Sequence, residues 1–384
     1  MTEEQTVVVF KVFEDDKMLD NVIVPIAMGA DHVFYFSHVD HSEKSMNICR
    51  EFLKRNEAGC SFIFMDEDYD LEYWFRRYPS AIVDMTGARY ILLRLFELAN
   101  QYQNPIFYFD SEENTIKNYR ARKSMSYPYP LLTIEDIVYL GGGTIQKHIH
   151  NAPNLKNTEH CELIRQAVEM NIEQYDRFVS YVNSVHSMVG KFDGETTEIS
   201  DEAVKKIKNY ELTRTMKELR LFKIDGNTFS YRSREVKQLF EVVGSWLESY
   251  LYIKMKESEL FDDVMMSVVI DFSSRRRTPY PVTCELDLLA LRDNRLIFIS
   301  CKSNKVDSSA LYEVKLHSTL FGNQLSTSAV CTAEELDRRN PSIYTKAREL
   351  GIAVIDRSLM KEDRAVDALL DAALGKFEYE EIRP

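Results

Sequence analysis

The sequence lacks several features that define other classes of protein. No apolar stretch approaches the roughly 18 to 20 residues that span a bilayer, and the start MTEEQTVVVF has no charged-then-apolar signal layout. We therefore expect a cytoplasmic protein with no membrane partner. The six cysteines form no CxxC pair, which favours reduced, mostly buried thiols over zinc sites or disulfides. No GxGxxG follows the first apolar run, which argues against a nicotinamide-dependent enzyme.

An excess of positive charge is also missing. The net charge of -13 argues against a protein that coats nucleic acid nonspecifically, because such binding depends on Lys and Arg. Local basic patches are still present at Arg275 to Arg277 and at Lys302 with Lys305. Hydrophobic residues make up 45% of the chain and charged residues 28%, which is typical of a globular protein.

The 384 residues exceed the usual size of one domain, so the sequence predicts two or three. Five apolar runs near the amino terminus are separated by stretches long enough for a helix, which predicts a parallel, doubly wound sheet. These runs are Val7 to Phe13, His32 to Ser37, Ser61 to Asp66, Ala81 to Met85 and Pro105 to Asp110. Ligands of such sheets bind beyond the carboxyl ends of the strands, so we expect them at Glu14 to Met18 and Met85 to Arg89.

The second of these loops contains the turn Thr86-Gly87, followed by a helical pattern. Glycine lets a phosphate approach the backbone, threonine donates a hydrogen bond or caps the helix, and the helix amino end favours an anion. An ordinary tight turn with a helix cap is the alternative interpretation.

The middle of the chain, residues 141–230, reads as a helical connector. Glu159 to Val189 has helical periodicity, with an apolar face formed by Leu163, Ala167, Met170, Ile172 and Phe178. The polar stretch that follows predicts a small helical or winged element.

The segment from Cys284 to Lys302 predicts a hairpin with chemical groups at its ends. Glu285 and Asp287 share one face of its first strand, and Ser300 and Lys302 share one face of its second. If the hairpin closes at Asp293-Asn294, Asp287 falls near Ser300 across the ladder. Carboxylates beside a lysine are suited to metal-assisted phosphodiester hydrolysis, because a hard divalent ion binds carboxylates and backbone carbonyls. A solvated acid and lysine on an ordinary hairpin is the alternative.

This arrangement resembles the PD-(D/E)xK core of restriction-endonuclease-like proteins. More narrowly, residues 233–357 resemble the nuclease half of the CRISPR-associated Rossmann-fold (CARF) effectors of type III CRISPR systems, the Card and Can nucleases. The resemblance is carried by GSWLESYLYIKMKE, ELDLLALRDNRLIFISCKS and SALYEVKLHSTLFG, in that order. It implies an α/β chain with a CARF-like sensing domain at 1–140, the helical connector, and a nuclease-like domain at 231–384.

The resemblance also implies a catalytic site formed by Asp287, Lys302, Glu248, Glu285 and Ser300. Mn²⁺ or Mg²⁺ would be held by Asp287, Glu248, Glu285 and the backbone carbonyl of Cys301. The family often has Glu or Asp where this chain has Ser300, and a hydroxyl binds metal more weakly than a carboxylate. Glu285 and Glu248 are the acids that compensate for this replacement.

In the amino-terminal domain the resemblance implies a site for a cyclic oligoadenylate, most simply cyclic tetra-adenylate, across the two-fold axis of a homodimer. The residues expected near this ring are Thr86, Gly87, Ala88, Arg89, Glu14, Asp15, Phe36 and Ser37. The implied function is a ring-activated, metal-dependent nuclease that cuts single-stranded or nicked DNA, RNA, or both. Two alternatives stay open: an inactive sensor or nucleic-acid-binding regulator, and a restriction or repair nuclease that binds another nucleotide.

Overall fold

The structure is a computed structural model that describes residues 6–379, except 67–68, 88–89, 112, 122–125, 128, 147–151, 210–215, 217, 243, 273–281, 304 and 324. The chain divides into two compact units. Unit 1 comprises residues 1–145, 271–282 and 321–325, and unit 2 comprises residues 146–270, 283–320 and 326–384. The predicted division at residues 140 and 230 stays a prediction; in the structure, residues 146–230 pack within unit 2.

Unit 1 is built on a seven-stranded sheet with the strand order β3-β2-β1-β4-β5-β6-β7. The strands are β1 (Val8–Val12), β2 (His32–Ser37), β3 (Gly59–Phe64), β4 (Ile82–Asp84), β5 (Ile106–Asp110), β6 (Thr115–Asn118) and β7 (Ser126–Tyr127). β1 to β5 pair in parallel, as the five apolar runs predict. β6 and β7 extend the sheet antiparallel, and the sequence analysis did not find them.

The helices of unit 1 connect its parallel strands. They span Met18–Ala27, Glu43–Arg55, Glu72–Arg77, Tyr90–Gln101 and Ile134–Leu140. A short strand, β8, follows at Thr144–Ile145. Phe10, Phe34 and Phe36 pack with Phe75 in the core of this unit, where aromatic rings meet edge to face. The apolar strands are therefore covered, as expected for a doubly wound sheet.

Unit 2 contains a small sheet and a large one. The small sheet has the order β10-β11-β9, formed by β9 (Thr196–Glu198), β10 (Phe222–Asp225) and β11 (Thr228–Tyr231). The large sheet contains the order β16-β15-β14-β13-β12. Its strands are β12 (Asp263–Asp271), β13 (Thr283–Arg292), β14 (Arg295–Lys302), β15 (Thr327–Thr332) and β16 (Ile352–Ile355). β13 and β14 are antiparallel, whereas β14, β15 and β16 are parallel.

The helices of unit 2 share one apolar core with the large sheet. The longer ones span Thr158–Asn171, Tyr175–Val189, Asp201–Asn209, Arg234–Glu241, Ser245–Glu257, Ser308–Phe321, Pro341–Glu349 and Ala365–Ala373. Two short helices span Leu336–Arg339 and Arg357–Lys361, and a 3-10 turn spans Ile172–Gln174. The mixed α/β fold class predicted from the sequence is confirmed.

The connector is helical where periodicity predicts helices, with one error in the predicted apolar face. Leu163, Ala167, Ile172 and Phe178 are buried, but Met170 is 53% exposed. Val168 and Asn171 fill the face that Met170 was expected to share, because Met170 projects about a quarter turn away from it. The polar stretch that follows forms the small sheet and the Asp201–Asn209 helix.

All six cysteines are free thiols. Cys49, Cys161, Cys301 and Cys331 are buried, and Cys60 and Cys284 are half-buried. Burial raises the pKa of Cys60 and Cys284 to about 11 and that of Cys49 to about 12. Among the described residues, no helix is both long and apolar enough to cross a bilayer.

Candidate functional sites

The predicted hairpin is present with the predicted register. Leu288 lies opposite Ile299 and Arg292 opposite Arg295, so the two-residue turn falls at Asp293-Asn294. Both turn residues have positive φ, at 53° and 58°, which matches the backbone of a type I′ turn. The turn therefore fixes which side chains of β13 and β14 face each other.

Asp287 holds the end of β14. Its Oδ2 accepts a hydrogen bond from the Cys301 amide at 2.7 Å and another from the Ser300 hydroxyl at 3.2 Å. The backbone pairing of β13 with β14 extends only as far as Leu288 and Ile299. Beyond this point the Asp287 carboxylate, and not a backbone carbonyl of β13, accepts the hydrogen bond of β14. Ser300 therefore acts as a donor to Asp287 in this structure, a role that a carboxylate at this position could not fill.

Lys302 lies on the same face as Asp287. Side chains of β14 alternate, so Lys302 shares the face of Ser300, whose hydroxyl contacts Asp287. Both groups act electrostatically on Glu248 and on His317, which places them around one site. Glu285 is exposed at the outer end of β13, on the face of Asp287. The hairpin thus carries Glu285, Asp287 and Lys302 on one face.

Glu248 joins this group from the first turn of the Ser245–Glu257 helix. The pKa of its carboxyl is raised to about 8, mainly by burial and also by the negative charges of Asp287 and Glu285, while Lys302 opposes the shift. Three acids and one lysine therefore form an electrostatically crowded site, which is typical of functional positions.

Gly244 leaves room for Glu248 to approach the backbone. It precedes the helix with a φ of 97°, a conformation that glycine adopts at low cost. A Cβ at this position would lie 3.2 Å from Glu248 Oε1 and 3.3 Å from Ser303 Oγ. A side chain here would therefore press on both groups.

His317 is a member of the site that the sequence analysis missed. It is buried on the Ser308–Phe321 helix, and burial lowers its pKa. The charges of Glu313, Asp287 and Lys302 all act on its ring. No local pattern distinguishes this histidine, because only the packing of the helix on the hairpin brings it to Asp287.

The donor set of this site suits a hard divalent cation. Asp287, Glu285 and Glu248 offer carboxylate oxygens, and their mutual repulsion is what a bound cation would relieve. In the described part of the chain, no group of three or more His, Cys, Asp or Glu is gathered closely enough to hold a metal ion. The residues therefore fit such an ion by chemistry and charge, while their side chains are not drawn together at ligand distance.

The other candidate site lies at the switch point of the sheet in unit 1. β1 and β4 are neighbours, and the chain winds away from them in opposite directions, to β2 and β3 or to β5. Loops that follow such strands form a crevice in which ligands of doubly wound sheets bind. The two loops chosen from the sequence, after β1 and after β4, are the ones at this point.

The turn after β4 rests on a buried ion pair. Lys11 and Asp84 have fully buried side chains, with Nζ and Oδ2 3.4 Å apart, and Lys11 Nζ also donates to the Thr86 carbonyl. Asp84 Oδ1 accepts from the Thr86 amide at 2.8 Å and from its hydroxyl at 2.6 Å. The Thr86 hydroxyl in turn accepts from the Phe109 amide at 2.9 Å. This hydroxyl therefore serves the turn, not a ligand.

Glu14 and Gly87 bring the two loops together. Gly87 has a φ of 93°, and a Cβ there would lie 2.9 Å from Glu14 Oε1. The Glu14 carboxylate is buried and pairs with Lys17 at 3.2 Å. Glycine is thus required at 87 both by its backbone conformation and by the close approach of Glu14.

The remaining predicted ligand residues are placed differently from one another. Asp15 accepts a hydrogen bond from the Ser42 amide at 3.2 Å and forms an ion pair with His41. The Ser37 hydroxyl lies 2.6 Å from His41 Nε2. These contacts lie in the loops that follow β1 and β2. The Phe36 ring is fully buried against Phe10, so it faces the core instead of the loops. Ala88, Arg89 and the basic run Arg275 to Arg277 lie outside the described residues.

The fold and site define a class: an α/β chain with a doubly wound sheet in one unit and, in the other, a hairpin that carries two acids and a lysine on one face. Residues 235–367 match the family described as Card1-like, endonuclease domain. This match covers the helix with Glu248, the hairpin with Asp287 and Lys302, and the helix with His317. The resemblance to the Card and Can nucleases is confirmed for this part of the chain.

Two solved structures share the fold over nearly the whole chain. The crystal structure of protein VC1899 from Vibrio cholerae matches with a TM-score of 0.77 and 17% identity, covering 96% of this chain and 98% of that chain. The structure of Can2 from Sulfobacillus thermosulfidooxidans in complex with cyclic tetra-adenylate matches with a TM-score of 0.69 and 16% identity, covering 96% and 97%. No curated protein matches the sequence.

Proposed function

We propose that this chain is a cyclic oligoadenylate-activated, metal-dependent nuclease of type III CRISPR antiviral defence. The observation that carries this proposal is the Asp287 carboxylate at the open end of the hairpin, on one face with Lys302 and beside Glu248. The match of residues 235–367 to an endonuclease family supports it. DNA, RNA or both, single-stranded or nicked, is the substrate class, and the cytoplasm is the proposed location.

Asp287, Glu248 and Glu285, with the Cys301 carbonyl, would hold Mn²⁺ or Mg²⁺. When bound, such an ion stabilises negative charge on the attacked phosphate and on the leaving oxygen. Lys302 screens the phosphate and orients the attacking water by hydrogen bonding. Ser300 keeps the Asp287 carboxylate in place by donating to Oδ2.

The ring is proposed to bind unit 1 of two chains across a two-fold axis, within the predicted sensing domain 1–140. Gly87 has a positive φ and comes three residues before the Tyr90–Gln101 helix, and the amino end of a helix favours an anion. Glu14, Asp15 and Ser37 lie at the neighbouring loops. A ring that binds a closed homodimer better than an open one shifts the population toward the cutting state.

Incubation of the purified protein with labelled DNA and RNA tests the proposal directly. We expect cleavage only when cyclic tetra-adenylate and Mn²⁺ are both present. Cleavage that depends on neither the ring nor the metal would contradict the proposed function.

A catalytically inactive sensor is the second candidate, and Ser300 favours it because a hydroxyl replaces a potential metal-binding carboxylate. Asp287→Ala separates the two functions. For a nuclease, we expect turnover to fall by about 100-fold, the upper end of the loss seen when groups that support a metal site are removed. Ring binding, measured by calorimetry, should be unchanged. Asp225→Ala, at a position 80% exposed in the same unit, is the matched control and should retain full activity.

A further inference from the structure

Unit 2 exposes few large apolar side chains, and most of them lie around the acids and the lysine of the hairpin. In the part of unit 2 that the structure describes, those exposed by 42% to 55% are Met170, Val242, Tyr312 and Leu316. Val242 comes just before the helix that carries Glu248. Tyr312 and Leu316 lie on the helix that carries His317. Single exposed apolar residues are ordinary, whereas three of four beside one site call for an explanation.

The Ser308–Phe321 helix packs on the face of the sheet that carries the lysine of the hairpin. The Ser328 hydroxyl of β15 donates a hydrogen bond to the Ser318 hydroxyl of this helix at 2.7 Å, and both are buried. Ser328 pairs with Phe298 of β14, so their side chains point to one face. Ser300 and Lys302 share that face, because side chains alternate along β14. The helix therefore lies directly over the proposed site of cleavage.

Tyr312 and Leu316 form an apolar stripe on the outer side of this helix, here called the Tyr312 stripe. Residues four apart in a helix lie about 40° from each other around its axis, so the two side chains are neighbours. His317 follows Leu316 at about 100° around the axis and is buried toward the sheet. The Tyr312 stripe thus borders the side of the helix that faces the site.

A lysine is held beside the Tyr312 stripe. Lys346 Nζ lies 5.6 Å from the centre of the Tyr312 ring and donates to Ser308 Oγ at 2.8 Å. An ammonium group is attracted to the face of an aromatic ring, so this contact helps to orient the ring. Tyr312 nevertheless stays 54% exposed. An open aromatic ring beside a positive charge is the combination with which proteins bind single-stranded nucleic acid.

We propose that the Tyr312 stripe holds the unpaired bases of a nucleic acid next to the phosphodiester that is cut, with one base stacked on Tyr312 and Lys346 contacting the backbone. This inference rests on the proposed nuclease function and assigns substrate-binding residues outside the hairpin. A chain with a net charge of -13 gains little from general attraction to phosphates, so stacking supplies binding that charge does not. Bases in a duplex are already stacked on each other and present no face to the ring.

Fluorescence anisotropy of a labelled single-stranded oligonucleotide measures this binding. The full chain is used with cyclic tetra-adenylate, and EDTA removes metal so that no strand is cut. We expect Tyr312→Ala to weaken binding about 10-fold, within the range for loss of a base stacked on an aromatic side chain. Tyr312→Phe should retain the affinity, because the ring is kept. A duplex of the same sequence should bind the unmodified chain and Tyr312→Ala equally.

The salt dependence separates stacking from charge. Tyr312→Ala should lower the affinity without changing the slope of its logarithm against the logarithm of salt concentration, since no phosphate contact is removed. Lys346→Met should reduce the magnitude of this slope by about 0.7, the value for one phosphate contact on a single strand. A change of slope in Tyr312→Ala would contradict stacking.

Two matched controls remove exposed apolar side chains elsewhere. Tyr119 is 58% exposed and Leu131 is 62% exposed, both in unit 1. Tyr119→Ala is matched to Tyr312→Ala, and Leu131→Ala is matched to Leu316→Ala. Both controls should bind the single strand like the unmodified chain. A melting temperature for each variant shows that it is folded.

A folded Tyr312→Ala protein that binds the single strand as tightly as the unmodified chain would overturn this inference, while ring-dependent and metal-dependent cleavage by the unmodified chain would leave the proposed function intact. An equal loss for single strand and duplex would also overturn it. So would a change in the mass of Tyr312→Ala in solution, because the stripe would then be a contact between copies of the chain. If Tyr312→Ala fails to fold, Leu316→Ala decides.

Discussion

The fold of unit 2 strongly raises the pKa of the Glu248 carboxyl. Its carboxyl has a pKa of about 8 in the folded protein against an ordinary value of 4.5. At pH values between about 4.5 and 8, Glu248 holds a proton in the folded chain that it has released in the unfolded chain. The contribution of Glu248 therefore lowers the free energy of unfolding progressively as the pH rises from about 4.5 to about 8. Above pH 8 this loss of stability stays constant.

Glu248→Gln should abolish this pH dependence. The amide is neutral at every pH, so we expect the metal-free variant to have a higher free energy of unfolding than the unmodified chain at pH 9, and a similar one near pH 4.5. Urea denaturation at the two pH values measures the difference. Glu349→Gln, the same change at an exposed position, should show no such gain. A gain that is equal at both pH values would contradict the assignment.

At the scale of residues, the sequence predicts those positions that are determined by the alternation of side chains along a strand. Asp287, Lys302 and the face they share follow from the two-residue period of the strands and from the turn at Asp293-Asn294. His317 and Lys11 were not predicted as site residues, because each reaches its site through packing between elements distant in the chain. The burial of Phe36 was missed for the same reason, since both faces of a parallel sheet are covered.

Single elements depend on a few buried polar groups. In unit 1 the turn after β4 is fixed by Asp84 and Thr86, which in turn depend on Lys11 from β1. Burial raises the pKa of the Asp84 carboxyl, and Lys11 opposes this. The ion pair therefore ties the loop of the proposed ring site to the middle of the sheet.

Lys11→Met should break this link. Removing one partner of a buried ion pair leaves an uncompensated charge and costs about 3 to 5 kcal/mol. We expect a loss of stability of that order together with a loss of ring binding, measured by denaturation and by calorimetry. The exposed pair of Lys206 and Glu202 provides the control, and Lys206→Met should change neither quantity appreciably. Full ring binding by a folded Lys11→Met protein would refute this role.

The elements themselves were predictable to different degrees. The five parallel strands of unit 1 and the hairpin of unit 2 are marked in the sequence by apolar runs and turn residues, and all of them are found. The parallel strands β15 and β16 of unit 2 were not predicted. β6 and β7 are short and partly polar, so they lack such a signal. Met170 was misassigned because it projects about a quarter turn away from the buried face of its own helix.

At the scale of the molecule, the two units offer separate reporters. The chain has two tryptophans, Trp74 in unit 1 and Trp246 in unit 2. Trp246 is buried two residues from Glu248, and Trp74 packs on Phe34 in the core of the other unit. Fluorescence from each can therefore follow the melting of its own unit.

A ligand stabilises the unit that binds it. At 100 times its Kd, a ligand adds about 2.7 kcal/mol, which corresponds to a rise in melting temperature of roughly 5 to 10 °C for a domain of this size. We expect cyclic tetra-adenylate to shift the Trp74 signal in Trp246→Phe protein, and Mn²⁺ to shift the Trp246 signal in Trp74→Phe protein. A mononucleotide is the control ligand. A ring that leaves the Trp74 signal unchanged would contradict the assignment of the ring site.

The buried thiols have a practical consequence for handling this protein. Because the thiolate is the reactive form, cysteines whose pKa burial raises to about 11 or 12 resist air oxidation and alkylation at neutral pH. Alkylation would proceed when a segment unfolds locally. The order in which the six cysteines are labelled would therefore show which regions unfold locally most readily. Cys301, behind the Asp287 carboxylate, would mark the opening of the hairpin itself.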